Sequence, residues 1–267
     1  AAIEAQAEPI AEGLDRQALQ SALPPGAARN ALDCALWDLE AKLSGEPVWR
    51  LAGLARPGPL ITAYTLSLDS PEAMGNAAAA NAARALLKLK LGGEGVVERV
   101  AAVRASAPQS RIIVDANEAW TVDLLAEASP ELARLGVEMI EQPLPAGSDG
   151  GLAGIERLVP LCADESCHDS ASLAGLESRY DIINIKLDKT GGLTEALALA
   201  DAARAAGLGI MVGCMIGTSL SMAPATLVAA HASFVDLDGP LLLARDHQPG
   251  IVFEGSIMQP PPPALWG

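Results

Sequence analysis

The sequence predicts an α/β chain folded as a (β/α)8 TIM-type barrel. Three observations predict it. From about residue 59 onward, short β-type runs alternate with alanine-rich helical stretches. Eight such units fit into roughly 180 residues, which is barrel length. Strand after strand also closes on a residue able to ionise, an unusual pattern in a chain whose residues are 50% hydrophobic. An open doubly wound sheet is the main structural competitor, but no Gly-rich dinucleotide fingerprint follows any strand.

Taken in order, residues 28–49 (ARNALDCALWDLEAKLSGEPVW) read as a helix stopped by Gly45 and Pro47, with Trp37 and Trp49 suited to helix packing. The segment before it is helical or irregular. Strands are expected at 60–66, 86–91, 111–116, 137–141, 159–164, 182–187, 209–214 and 234–237, with helical material between each pair. The tail, 259–267, contains four consecutive prolines and can continue neither a helix nor a central strand, so it is expected to lie across the surface.

Composition excludes several classes. A formal net charge of −15 disfavours polyanionic partners such as nucleic acid. No apolar run approaches the roughly 18 residues of a membrane-spanning helix. Residues 1–25 carry acids where a secretion signal needs a basic region, which leaves a cytoplasmic location as the expectation. Cys34, Cys162, Cys167 and Cys214 lack metal-ligand or disulfide-framework spacing and read as buried thiols. His168, His231 and His247 form no constellation.

In a barrel all strand C-termini open on one face, so Lys90, Asp115, Glu141, Asp164, Lys186 and Asp236 would converge on a single mouth. Asp115, Glu141 and Asp164 end consecutive strands. Each alone could be a helix N-cap; together they would repel one another, and a hard divalent cation with oxygen ligands resolves that conflict. Mg²⁺ is the expected ion, and Mn²⁺ could substitute. Lys88 and Lys90 lie two apart on one strand and share a face, expected to be the barrel interior. Two ammonium groups about 6 Å apart repel by about 3 kcal/mol at an effective dielectric of 20, which would lower a lysine pKa toward that of a useful base. Lys186 ends the sixth strand, opposite the second, so Lys90 and Lys186 would flank anything bound over the carboxylates. One could remove a proton and the other return it.

The order KLK, DANEAW, EQPL, ADES, NIKLDKTGG and GCMIGTS resembles the muconate-lactonizing subgroup of the enolase superfamily, across essentially the whole barrel. The stretch ALDCALWDLEAKLSGEPVWRLAG is similar to the end of that family's capping domain. The resemblance implies an enolase-type modified barrel at 58–245, a helical remnant of an α+β capping domain at 1–57, and a tail at 246–267 returning toward the cap. The antiparallel sheet that opens the family's cap has no counterpart in these residues. The resemblance makes Asp115, Glu141 and Asp164 metal ligands and Lys90 with Lys186 the acid/base pair. Lys88 becomes an auxiliary lysine that tunes Lys90 and touches the substrate carboxylate. Chemistry of this kind runs through an ene-diolate stabilised by Mg²⁺, which is the general pattern of such sites.

Within the subgroup, FVDLDGP resembles the Asp-x-Asp motif of the dipeptide epimerases, in which Asp236 and Asp238 would hold a substrate α-ammonium group; a plain turn at Asp238-Gly239 is the alternative. The lactonizing enzymes carry a glutamate where GCMIGTS has Gly217, so substrate contacts there fall to the backbone near Thr218 and Ser219. The expected activity is epimerisation of the C-terminal residue of an Ala-Glu type dipeptide by 1,1-proton transfer, as in peptidoglycan recycling. Its rivals are N-acylamino-acid racemisation, o-succinylbenzoate synthesis, muconate lactonisation, or a non-catalytic barrel that binds a metal-carboxylate ligand. The partners implied are a small dipeptide and, at most, further copies of the chain in a homo-oligomer, with neither nucleic acid nor membrane indicated.

Overall fold

The computed structural model describes residues 1–267. The chain opens with a 3-10 turn (Glu4–Gln6) and helices α1 (Ala7–Ala11), α2 (Arg16–Ala22), α3 (Ala27–Ser44) and α4 (Val48–Leu51). Gly45 ends α3 in the left-handed conformation (φ 74°), as the sequence pattern requires. There follow β1 (Leu60–Ile61), β2 (Tyr64–Leu66), α5 (Pro71–Ala80), β3 (Leu86–Lys90), α6 (Val96–Ser106), β4 (Arg111–Asp115), α7 (Val122–Arg134) and β5 (Val137–Glu141). The second half comprises β6 (Leu161–Ala163), β7 (Ile182–Ile185), α8 (Leu187–Thr190), α9 (Leu193–Ala205), β8 (Gly209–Gly213), α10 (Ser219–Ala229), β9 (Phe234–Asp236), β10 (Phe253–Glu254) and β11 (Ile257–Met258).

Strands β2 to β9 form one parallel sheet in sequential order. The sheet curls until its edges meet: the Ala63 N–H donates to Val235 O at 2.8 Å, and the Leu237 N–H to Thr62 Oγ1 at 2.9 Å. This is the expected (β/α)8 barrel. Its register sets Lys90 beside Asp115, Asp115 beside Glu141, and Gly213 beside Asp236, so the chemically active residues lie at one level.

Alternation along the strands divides the barrel into layers. Ala63, Leu86, Ile113, Met139, Cys162, Ile182, Met211 and Phe234 pack into one small cluster, a floor across the barrel. One step along the same inner face of each strand stand Thr65, Lys88, Asp115, Glu141, Asp164, Asn184, Gly213 and Asp236. The intervening residues, among them Leu87, Leu89, Val114, Ile140, Ile183, Val212 and Val235, face outward into the main core under the helices. The chain thus seals the barrel with hydrocarbon below and concentrates ionisable groups above.

Several expectations are corrected. Residues 60–66 are not one strand, because Leu60 and Ile61 pair antiparallel with β11 while Tyr64–Leu66 pair parallel with β3. The strand expected at 159–164 shortens to Leu161–Ala163, since Pro160 has no N–H to offer the ladder. The connections after β5 and β6 hold 3-10 turns (Gly150–Gly154; Ser170–Leu173 and Leu176–Ser178) in place of α-helices, consistent with the glycine, proline and serine crowded into them. Lys186 lies just past β7, as the N-cap residue of α8. The tail, expected to lie across the surface, packs back against α3. Leu265 and Trp266 are buried, Trp266 Nε1 donates to Cys34 O, and the Gly267 N–H donates to Asp38 Oδ1. No helix is long and apolar enough to cross a membrane.

Helix α3 docks directly on the loop that follows Lys186. The buried Arg29 guanidinium donates to Thr190 O and Gly191 O, Asp33 accepts the Thr194 N–H, and Trp37 Nε1 donates to Thr194 Oγ1. The two glycines of the TGG motif permit this approach. Gly191 (φ 75°) and Gly192 (φ 123°) hold conformations that a side chain resists, and a Cβ on Gly192 would lie 2.5 Å from Asp33. Gly192→Ala is therefore expected to lower the unfolding free energy by about 3 kcal/mol or more in urea denaturation; a variant as stable as the parent would contradict this docking.

Candidate active site

The charged layer is built around Lys88, which is 2% exposed. Its Nζ lies 2.7 Å from Glu141 Oε2, 2.8 Å from Asp236 Oδ2 and 3.1 Å from Asp115 Oδ2. Burial alone would push this lysine's pKa down, but Asp236, Glu141 and Asp115 outweigh it and hold the group charged, well above the ordinary lysine range. At Lys88 this overturns the expectation that repulsion from a neighbouring lysine lowers the pKa. The carboxylates between the strands dominate.

Lys90 Nζ donates to Asp115 Oδ2 at 2.6 Å and to Asn117 Oδ1 at 2.9 Å. Lys186 Nζ donates to Asp164 Oδ2, also at 2.6 Å. The two lysines thus stand at the first and third of the successive carboxylates, on strands four places apart in the ring of eight and so on opposite walls. Burial again opposes charge on Lys186, and Asp164 and Glu141 raise its pKa above the ordinary value. Asp164 is held well below the usual carboxylate range: burial disfavours its charge, but Lys189 and Lys186 prevail. Asp115 is lowered in the same way by Lys88 and Lys90. Glu141 moves the other way, to about 7, through burial and the nearby Asp115.

Asp115, Glu141 and Asp164 share the mouth but, in this arrangement, are not placed to hold a metal ion together, and neither is any other set of three acidic, His or Cys side chains. Ammonium groups separate them. The donor set is nonetheless that of a hard cation, three carboxylates on consecutive strands. Glu141 Oε2 is buried without a hydrogen bond and touches Lys88 only as an ion pair outside hydrogen-bond geometry. An orphaned, buried carboxylate oxygen fits a cation ligand.

Asp236 and Asp238 are both buried. Asp236 Oδ1 has no hydrogen-bond partner, while Asp238 Oδ2 accepts the Thr65 N–H from β2 at 2.7 Å. Burial and the neighbouring Asp236 raise the Asp238 pKa to about 6. Ser219 does not present itself to the mouth: it is buried, its N–H donates to Asp246 Oδ1 at 2.7 Å and its hydroxyl donates to Asp246 Oδ2. Of the pair expected near Gly217, only the half-buried Thr218 remains at the rim.

Sequence reasoning missed three residues that organise the layer. Asn184 Nδ2 donates to Glu141 Oε1 at 2.6 Å. Lys189 Nζ donates to the carboxylate and carbonyl of Asp164 and to the carbonyls of Cys167 and Asn184. Gln142 is bonded to the backbone of Asp164. Asn184 was legible, being two residues before Lys186 on the same inner face.

Fold and mouth together define a barrel of the class that sets basic side chains on opposite walls over a cluster of hard oxygen donors. The chain belongs to the enolase superfamily: residues 73–261 match its "Enolase C-terminal domain-like" family, and residues 3–53 match the "Mandelate racemase / muconate lactonizing enzyme, N-terminal domain" family. An N-acetyl-D-glutamate racemase of Pseudoalteromonas sp is 49% identical over 249 residues, covering 93% of this chain and 79% of that protein. The L-Ala-D/L-Glu epimerase of Escherichia coli (strain K12) is 48% identical over 246 residues, covering 91% and 77%. Among solved structures, an enolase family member from Agrobacterium tumefaciens with homology to dipeptide epimerases, holding sodium and L-Ala-L-Glu, superposes with a TM-score of 0.96. It is 57% identical, with 99% of this chain and 81% of that one covered. A dipeptide epimerase from Methylococcus capsulatus complexed with Mg and L-Arg-D-Lys gives 0.85 at 33% identity, covering 92% and 73%.

Asp238 supplies a pH test. Its folded pKa of about 6 exceeds the unfolded value near 3.8, so its charge opposes folding above pH 6, and that penalty disappears as pH falls toward 4. Asp238→Asn, which keeps an acceptor for the Thr65 N–H, is expected to be more stable than the parent by up to about 3 kcal/mol at pH 7.5 and to lie within about 0.5 kcal/mol of it at pH 4. Urea denaturation at the two pH values measures this, and a less stable variant at pH 7.5 contradicts it.

Proposed function

We propose that the chain epimerises the C-terminal residue of an Ala-Glu type dipeptide, with Lys90 and Lys186 as the acid/base pair. The observation that carries this reading is the placement of those two lysines on opposite walls, each tethered to an outer member of the Asp115, Glu141, Asp164 series. A proton taken from the substrate's α-carbon by one lysine in its neutral form leaves an electron pair that delocalises into the adjacent carboxylate. The opposite lysine, as its ammonium, returns a proton to the other face, and the α-centre is inverted.

Asp115, Glu141 and Asp164 are the residues that would hold Mg²⁺, with Mn²⁺ as an alternative. Bound there, the cation supplies positive charge against the negative charge that builds on the substrate carboxylate. The solved relative complexed with Mg supports this assignment. Lys88 would add a further charge beside the same carboxylate. Asp236 and Asp238 would receive the dipeptide's α-ammonium group, with the unpartnered Asp236 Oδ1 as one acceptor and Thr218 at the rim. The four unpaired cysteines suit a reducing compartment, in keeping with a cytoplasmic enzyme that recycles peptidoglycan dipeptides.

A second reading, racemisation of an N-acylamino acid, is favoured by the Pseudoalteromonas sp relative, as similar as the Escherichia coli epimerase. An acylated nitrogen carries no positive charge and gives a pair of buried acids nothing to neutralise. The expected outcome is Mg²⁺-dependent conversion of L-Ala-L-Glu to its epimer, lowered about 10³-fold in kcat by Lys90→Ala or by Lys186→Ala. Full turnover in both variants would sink the two-lysine assignment. The double variant Asp236→Asn with Asp238→Asn is expected to raise KM for the dipeptide tenfold or more. Turnover of N-acetylglutamate that survives this change, with none of the dipeptide by the parent, would select the second reading.

A further inference from the structure

Gln142 follows Glu141 directly, is fully buried, and holds a left-handed backbone conformation (φ 35°) that carries its side chain out of the strand alternation. Its bonds reach all three loops that carry the proposed cation ligands. The Gln142 N–H donates to Cys162 O on β6, and its carbonyl accepts the Glu118 N–H from the loop after Asp115. Its side-chain Oε1 accepts the N–H of Asp164 at 2.8 Å and that of Ser166 at 3.1 Å. Its Nε2 lies within donating distance of Leu144 O (2.8 Å), Ser166 Oγ (2.9 Å) and Tyr180 Oη (3.0 Å). These partners fix the amide's orientation, because backbone N–H groups face one end and a carbonyl faces the other.

The network closes on a second buried group. Asp149, 1% exposed, accepts from Ser166 Oγ and Tyr180 Oη, each at 2.7 Å, and pairs with Arg179. A chain of bonds therefore runs from Arg179 through Asp149, Tyr180 and Ser166 to Gln142, and from there to the main chain of Asp164. A neutral amide suits this position: it supplies donors and acceptors together and adds no further acid to a mouth already rich in carboxylates.

We propose that Gln142 is a positioning residue that sets the separation of Glu141 and Asp164, so that the two carboxylates can ligate one divalent cation. This rests on the reading of Asp115, Glu141 and Asp164 as cation ligands. Glu141 is fixed through the adjacent backbone, Asp164 through the amide held by Oε1, and the Asp115 loop through Glu118. Removing the Gln142 amide leaves the N–H of Asp164 unpaired and frees that loop to drift.

The test is Mn²⁺ binding to the intact protein without substrate, followed by electron paramagnetic resonance of free Mn²⁺. Gln142→Met, similar in length but unable to hydrogen-bond in this way, is expected to weaken binding at least tenfold. Leu132→Ala, a core change in α7 that lowers thermal stability without touching the network, is expected to bind within twofold of the parent. Tyr180→Phe, which cuts one link between Gln142 and Asp149, is expected to weaken binding about threefold and decides the matter where Gln142→Met does not accumulate as folded protein. Parental affinity in folded Gln142→Met, or in Tyr180→Phe where that variant decides, overturns the inference and leaves the cation site standing. A parent that binds no Mn²⁺ overturns the cation-site reading and this inference with it.

Discussion

A single buried ammonium sets the terms for the upper half of the barrel. Lys88 stands among Asp115, Glu141 and Asp236 where almost no water reaches, and an acidic cluster of that kind would be strongly unfavourable without a cation at its centre. The apolar floor formed by Leu86, Ile113, Met139 and their neighbours rules out neutralisation from below. Counter-charge must therefore come from the walls, where Lys90 supplies it to Asp115 and Lys186 with Lys189 supply it to Asp164. The geometry that makes the mouth foldable also places ammonium groups on opposite sides of the space where a substrate carboxylate would sit.

Much of this was legible in the sequence because strand alternation is a strict rule. Lys88 with Lys90, and the strand-terminal Asp115, Glu141 and Asp236, follow from a period of two and from the common face of a barrel's strand ends. What escaped lay where periodicity stops. Gln142 leaves its strand with a positive φ, so no alternation predicts where its side chain goes. The backbone at Ser219 was expected to contact substrate, yet Asp246, 27 residues further on, claims its N–H and hydroxyl. The lysine pKa argument failed for a related reason. It weighed the repulsion of two neighbours on one strand and had no means to sum carboxylates arriving from three others.

The N-terminal helices bear on the site as well as on stability. Arg29 and Asp33 of α3 grip Thr190, Gly191 and Thr194, only a few residues beyond Lys186, and the two glycines exist in conformations that allow this grip. The sequence showed TGG as part of a family motif without disclosing its physical task, because the partner surface lies some 160 residues earlier in the chain. Lys186 is thus held from two directions, by Asp164 in the mouth and by a helix braced against the turn that follows it.

The central claim is that two bases address opposite faces of one α-carbon. Proton NMR of L-Ala-L-Glu and L-Ala-D-Glu in D₂O, with Mg²⁺ and protein lacking one lysine at a time, tests it most directly. The account predicts that the parent exchanges the glutamyl α-hydrogen of both diastereomers. Lys90→Ala and Lys186→Ala should each retain exchange of only one diastereomer, the opposite one in each case. Loss of exchange from the same diastereomer in both variants, or exchange of both in either, would contradict a two-base site.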